Sequence, residues 1–337
     1  MAVLLCAHRS PCSAFRLIKR WRESVKKTLR LSAATVCHSG KSLSELSEID
    51  YAIGVTNSEP ATTVPITRRF APVSKRLRPY VDRIWSWESD APVPLPLLFP
   101  GTGAELVFHY GAPFAIREKN GGERLLSARA LVMCLRSCAC QLVATGPVGF
   151  MAVRLRGEAL RHFAVAPLSA WIDGFAPVEA GLGDGWHDLP ERLAEAPGFS
   201  ARVAILEARL EQHLAHQEMR PSIIDRAVTR LYYYADSVRV ADVSDGLGVS
   251  ARHFERLFQD ATGLTPKRFQ RVARFHHVMR RLLLERRSGY LETALASGFY
   301  DQAHFIHECR DFTGRSPGEL LTPEHYLSHF YNSRLAR

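Results

Sequence analysis

A seventeen-residue pattern is written twice near the carboxy terminus. Ser250-Ala-Arg-His-Phe-Glu-Arg-Leu-Phe-Gln-Asp-Ala-Thr-Gly-Leu-Thr-Pro266 aligns with Asp301-Gln-Ala-His-Phe-Ile-His-Glu-Cys-Arg-Asp-Phe-Thr-Gly-Arg-Ser-Pro317 at an offset of 51, with His, Phe, Asp, Thr, Gly and Pro recurring in register. Each copy opens on a residue suited to N-capping, Ser250 or Asp301, whose side chain can accept from the orphan N–H groups of a first helical turn. Each closes on Thr-Gly, where Gly263 or Gly314 can take the left-handed conformation past a helix end, and a proline three residues on blocks continuation. A small residue stands four positions before a further glycine, Ser244 before Gly248 and Ala294 before Gly298, as two short helices crossing through a tight turn require. The pattern predicts helix, glycine turn, helix, twice over.

Between the copies, Pro266 to about Arg287 reads as one continuous helix. Phe269, Val272, Phe275, Met279, Leu282 and Leu283 form its apolar stripe, and Lys267, Arg268, Arg271, Arg274, Arg280 and Arg281 lie largely off it. At 1.5 Å per residue such a helix spans ~33 Å, close to the ~34 Å that separates major grooves on one face of B-DNA. A stiff bridge of that length spaces two readers by one turn of the duplex. Charge agrees: Arg252 to Arg287 carries ten basic residues against Glu255, Asp260 and Glu285, whereas residues 51–220 are nearly balanced at 18 basic and 17 acidic. A polyanion is the matching partner.

The whole chain, 337 residues of which 46% are apolar, has room for about two packed domains, so the class is α+β and multi-domain. No apolar run approaches the ~18 residues of a membrane span. Seven cysteines, an odd number in a chain this long, read as reduced thiols in a reducing compartment, and a cytoplasmic, nucleoid-associated location follows. Residues 1–64 read as a poorly ordered basic leader whose Arg- and Ser-rich start imitates a transit peptide, with a tail or an early start codon as the plainer alternatives. From 65 to 165 come short β-type runs, Val81–Trp87, Glu105–Tyr110, Ala130–Leu135, Gln141–Thr145 and Phe150–Leu155, punctuated by turn signals such as Pro100-Gly101 and Gly146-Pro147. They predict a β-rich amino-terminal sandwich or barrel. Leu189, Leu193, Val203, Leu206, Leu210 and Leu214 then keep helical spacing, so 166–220 is expected as a helical connector ending at Arg220-Pro221. An all-α domain of two helix-turn-helix units joined by a long helix occupies 221–323, followed by a tail, 324–337.

The stretch from about Ser222 to Leu321 resembles the tandem helix-turn-helix domain of AraC/XylS-type transcriptional regulators, with Gly298-Phe-Tyr-Asp-Gln-Ala-His-Phe305 through Thr313-Gly-Arg-Ser-Pro317 close to that family's signature. The passage Phe99-Pro-Gly-Thr-Gly-Ala-Glu-Leu-Val-Phe108 is more loosely similar to amino-terminal domains attached to some members. The resemblance implies a sequence-specific DNA-binding regulator reading two successive major grooves, under control of a small-molecule effector that the sequence does not name. It places the exposed reading positions at Arg252, Glu255 and Arg256 in the first unit and at Gln302, Ala303, Ile306 and His307 in the second. Spacing agrees for the first set, which shares one helical face. Arg can pair with guanine, Gln with adenine and Glu with cytosine, whereas Ala303 and Ile306 offer only apolar contact, so weaker or shape-dominated readout is expected there. Lys267, Arg268, Arg271 and Arg274 are assigned to phosphates. A homodimer and contact with RNA polymerase stay open.

Other constellations carry less. His304-x-x-His307 could seat two metal ligands, but the first copy has Arg256 in the second place, so packing is expected and no metal. Cys134, Cys138 and Cys140 are read as buried thiols, with a soft metal, oxidant sensing or an alkyl-transfer repair chemistry as rivals. Trp85, Trp87, Phe99, Phe108 and Tyr110 could line a ligand pocket or fill a barrel core. No Gly-rich phosphate loop, His-Glu-x-x-His or Gly-x-Ser-x-Gly occurs, so neither an enzyme nor a cofactor is expected. A non-DNA adaptor with a basic helix is the remaining alternative.

Overall fold

A computed structural model describes residues 66–117, 122–157, 159–165, 168–215, 222–285 and 289–322. The leader, the break at Pro221 and the tail read from the sequence lie outside the described residues.

Among the described residues, ten strands form two antiparallel sheets. They are β1 (Thr67–Ala71), β2 (Val81–Ser89), β3 (Leu97–Leu98), β4 (Glu105–His109), β5 (Phe114–Arg117), β6 (Glu123–Leu125), β7 (Ala130–Met133), β8 (Cys140–Ala144), β9 (Val148–Leu155) and β10 (Phe175–Pro177). The larger sheet runs β1-β2-β9-β4-β7-β10, and the smaller runs β3-β8-β5-β6. Alternation along the central strands explains the packing. Ile84, Leu106, Phe108, Met151 and Val153 face one apolar cluster, while Trp85, Trp87, Val107, Phe150 and Ala152 face the other. Both faces of the larger sheet are therefore covered, and all of β9 is buried.

The segment expected as a helical connector is only partly helical. It holds α1 (Leu160–Phe163), a 3-10 turn (Leu168–Trp171), strand β10, α2 (Val178–Leu182), α3 (Leu189–Glu195) and α4 (Phe199–Ala215). Strand β10 pairs with β7 and so completes the larger sheet beyond residue 165. Three residues were too short to register as a strand in a passage of helical leucine spacing.

Among the described residues, seven further helices follow: α5 (Ile223–Tyr233), α6 (Val240–Gly246), α7 (Ala251–Thr262), α8 (Pro266–Glu285), α9 (Tyr290–Leu295), α10 (Gln302–Thr313) and α11 (Pro317–Leu320). Ser222 caps α5 by accepting from the Ile224 N–H (3.2 Å), and Asp225 accepts from the Ser222 N–H (2.8 Å). Arg161 then grips Asp225 with two nitrogens, at 2.7 and 2.6 Å, tying α5 to α1. The face of the larger sheet opposite the smaller one meets α1 through α5 and the first repeat, with Leu231, Val243, Phe254, Phe258 and Phe269 in its cluster. Val272, Phe275, Met279, Leu282, Phe305 and Phe312 belong instead to the cluster between the sheets.

This burial sets a pH dependence. Burial holds His109 and His277 down to about 4, with the Arg129 charge adding to the effect at His109, and burial sets His276 well below the ordinary histidine value. These rings are neutral in the fold, whereas in the unfolded chain they protonate near the ordinary value of ~6.5. Between those values the unfolded state binds more protons, so the stabilisation is complete above ~6.5 and is lost as pH falls toward 4. Calorimetry at constant ionic strength should show the melting temperature dropping across that window. An unchanged melting temperature would contradict the assignment.

Candidate nucleic-acid interface

The two copies of the sequence pattern form two copies of one hydrogen-bonded scaffold. Ser250 Oγ accepts from the His253 N–H at 3.3 Å, and Asp301 Oδ1 accepts from the His304 N–H at 2.7 Å. The recurring threonines also act alike: Thr262 Oγ1 donates to Phe258 O and accepts from Leu264 N–H, as Thr313 Oγ1 donates to Cys309 O and accepts from Arg315 N–H. Gly263 (φ 80°) and Gly314 (φ 71°) end the two helices in the left-handed region. The turns match as well, since Ser244 O receives Val249 N–H and Ala294 O receives Phe299 N–H, with Gly248 and Gly298 at positive φ. Recurrence in the sequence thus has a bond-by-bond cause.

On α7, Arg252, Glu255 and Arg256 are all exposed, opposite the buried Phe254 and Phe258. Arg256 Nη2 lies 3.1 Å from His253 Nδ1, which steadies its fork along the helix. On α10, Gln302, Ala303 and His307 are exposed, Ile306 is half-buried, and Phe305 and Phe312 are in the core. Gln302 donates to the Tyr290 hydroxyl on α9. Tyr300, 88% exposed just ahead of the Asp301 cap, also stands at the amino end of α10. An aromatic residue beside Phe299 reads as core in a sequence, which is why the pattern passed over it.

The joining helix α8 is unbroken over 20 residues, about 30 Å at the usual rise. Its cations do not all face solvent. Lys267 is exposed, but Arg268 donates to Asp311 (3.1 Å) and to Ser137 O (3.2 Å). Arg271 donates to the buried Glu308 and to Asp311, each at 2.8 Å, and lies over the Phe312 ring. Arg274 sits over the Phe299 ring with its guanidinium pulled below the ordinary value by burial. Arg268, Arg271 and Arg274 thus engage groups within the fold and fasten α8 to the second unit. Spacing could place them off the apolar stripe but could not show that α10 would cover that side.

Residues 243–322 match the model of a helix-turn-helix domain family, and residues 68–177 match that of a domain of unknown function (DUF6597). Residues 243–322 are a helix-turn-helix domain. No curated protein matches the chain. Among solved structures, ToxT from Vibrio cholerae aligns at 10% identity over 76% of this chain and 97% of that one, with a TM-score of 0.42. Unsaturated fatty acid-bound ToxT from Vibrio cholerae strain SCE256 aligns at 11% identity over 78% and 96%, with a TM-score of 0.42. KdgF from Halomonas sp. aligns at 17% identity over 30% and 83%, with a TM-score of 0.21.

The two sheets enclose an apolar pocket of about 10 Å³, lined by Trp85, Trp87, Phe114, Met133 and Phe150 with the buried Glu105. It has room for about one water. Of the other aromatic candidates, Phe108 lies on the opposite sheet face stacked with Trp186, Tyr110 donates to Glu88 at 2.6 Å, and Phe99 packs toward Phe275. A larger groove of about 510 Å³ runs between the Pro92–Leu97 stretch, β8 and the helix-turn-helix residues Arg315 and Glu319. Burial pushes the Cys134 thiol up to about 12 and the Cys140 thiol up to about 11, away from the thiolate a nucleophile or metal ligand needs. No helix among the described residues is long and apolar enough to cross a membrane.

Proposed function

We propose that this chain is a sequence-specific DNA-binding transcriptional regulator, acting in the cytoplasm, whose two recognition helices α7 and α10 read successive major grooves. One observation carries the reading: two helices capped in the same way, each the second of a helix-turn-helix, are joined by a single unbroken helix close in length to the groove repeat. Arg252, Glu255 and Arg256 contact bases from α7. Gln302, Ala303, Ile306 and His307 do so from α10, where the apolar pair leans on thymine methyls and on duplex shape. Lys267 contacts phosphate. The groove of about 510 Å³ is within the usual size of small-molecule sites, and we place effector control at this junction of sheets and reader. The raised thiols of Cys134 and Cys140 weigh against alkyl transfer at those two positions.

Selection from a random duplex pool with the full-length chain tests the reading. Paired half-sites about one helical turn apart are expected. Recovery of no enriched sequence would leave the basic adaptor as the better account.

A further inference from the structure

Both recognition helices are held at their carboxy-terminal ends by the sheet domain, and by two segments that are themselves buckled together. At α7 the grip is close packing. A Cβ at Gly263 would stand 2.5 Å from Ile172 Cδ1 and 3.1 Å from Leu168 O, so the turn that ends this helix lies flush on the 3-10 segment. At α10 the grip is a hydrogen bond. Phe312 O is among the last carbonyls of that helix, which have no partner within it, and it accepts from the Ala139 N–H at 2.8 Å. Arg268 adds a second tie to the same loop through Ser137 O.

The loop 134–139 and the turn 172–174 meet at Asp173. Its carboxylate accepts from Ser137 N–H (2.6 Å), Ser137 Oγ (2.6 Å) and Cys138 N–H (3.2 Å). Its own N–H donates to Leu135 O, and Cys134 N–H donates to Gly174 O. Asp173 does this from a left-handed backbone (φ 59°), the one non-glycine residue so placed among the described residues. Asp and Asn tolerate that region better than other side chains because they can bond locally. The segment touching the first unit and the loop touching the second are thus one cradle, with Asp173 as its buckle.

We infer that Asp173 is a positioning residue that sets how the two recognition helices stand relative to each other, and hence which half-site separation the protein prefers. Helix α8 and the side chains packed on it set the spacing of the two units, and the attachment of each recognition helix's far end to one cradle adds a constraint that does not run through α8. Two linked modules gain avidity only when both can engage at once. The inference rests on the DNA-reading function proposed above.

The test uses the full-length chain on duplexes recovered in that selection, with half-site separation varied one base pair at a time, and on duplexes bearing a single half-site. Wild type should show one preferred separation. Asp173→Ala should bind that duplex on the order of tenfold more weakly, with single half-sites unchanged within about twofold, so that the separation profile flattens. Asp173→Asn keeps an acceptor and the left-handed tolerance, and should restore much of the profile. Ile172→Ala, which loosens the grip on Gly263 without touching Asp173, should flatten it too, and serves if the aspartate variant does not fold. A wild-type profile in Asp173→Ala, or equal losses on single and paired sites, would overturn the inference alone. Absence of any paired-site preference in wild type would overturn the DNA reading itself.

Discussion

Replacing Arg252 and Arg256 together by alanine should weaken binding to the selected duplex by about 2–6 kcal/mol, because each well-placed base contact is worth ~1–3 kcal/mol of discrimination. Affinity for random duplex should fall far less, by the loss of two charges only. Both side chains are exposed on one face of α7, and the helix is held from behind by Phe254 and Phe258, so their removal leaves the fold alone. Filter binding on selected and random duplexes across a salt series separates the two effects. Two neighbouring cations give the contrast. Lys267→Ala should weaken both duplexes alike and reduce the salt slope by about one. Arg271→Ala should instead cost about 1–3 kcal/mol of folding stability, since it strips a partner from Glu308, which is 3% exposed. Equal losses on selected and random DNA from the double variant would remove α7 from the reading surface.

Phe275→Ala should destabilise the chain by about 3–5 kcal/mol, the usual cost of emptying a large ring from a packed core. Phe275 is fully buried on α8, with its ring centroid 6.4 Å from Phe99 of the sheet domain and 5.0 Å from Phe312 of the second unit. The cavity would open where sheet, joining helix and α10 meet. Urea unfolding followed by both tryptophan fluorescence and far-ultraviolet circular dichroism should show one earlier transition, because the described β strands and helices share this cluster. Two separated transitions, with only the helical one shifted, would mean that the reader and the sheets fold independently.

The central strands and the repeat were legible for physical reasons that operate locally. A strand buried on both faces reads as a short, nearly continuous apolar run between turn residues, and β4 and β9, whose residues divide between two buried clusters, read in that way. Caps and glycine turns need particular side chains at particular offsets, so Ser250, Asp301, Gly263 and Gly314 announce themselves. Strands β3, β6 and β10 are two or three residues long and carry too few positions for a period to appear. The internal partners of the α8 arginines were hidden for a related reason. Helical spacing states which side a residue takes and is silent on what covers that side.

By itself, the sequence determined two capped reading helices, the continuous helix between them and the charge that suits a polyanion, because helix ends, periodicity and composition depend on residues within a few positions of one another. Tertiary structure alone decided that Arg268, Arg271 and Arg274 engage Asp311, Glu308 and the aromatic rings, and that the ends of α7 and α10 rest on one cradle from the sheet domain. Those contacts join residues well separated along the chain, 37 positions apart from Arg271 to Glu308 and 131 from Arg268 to Ser137, and only the folded chain brings their charges and backbone groups within reach.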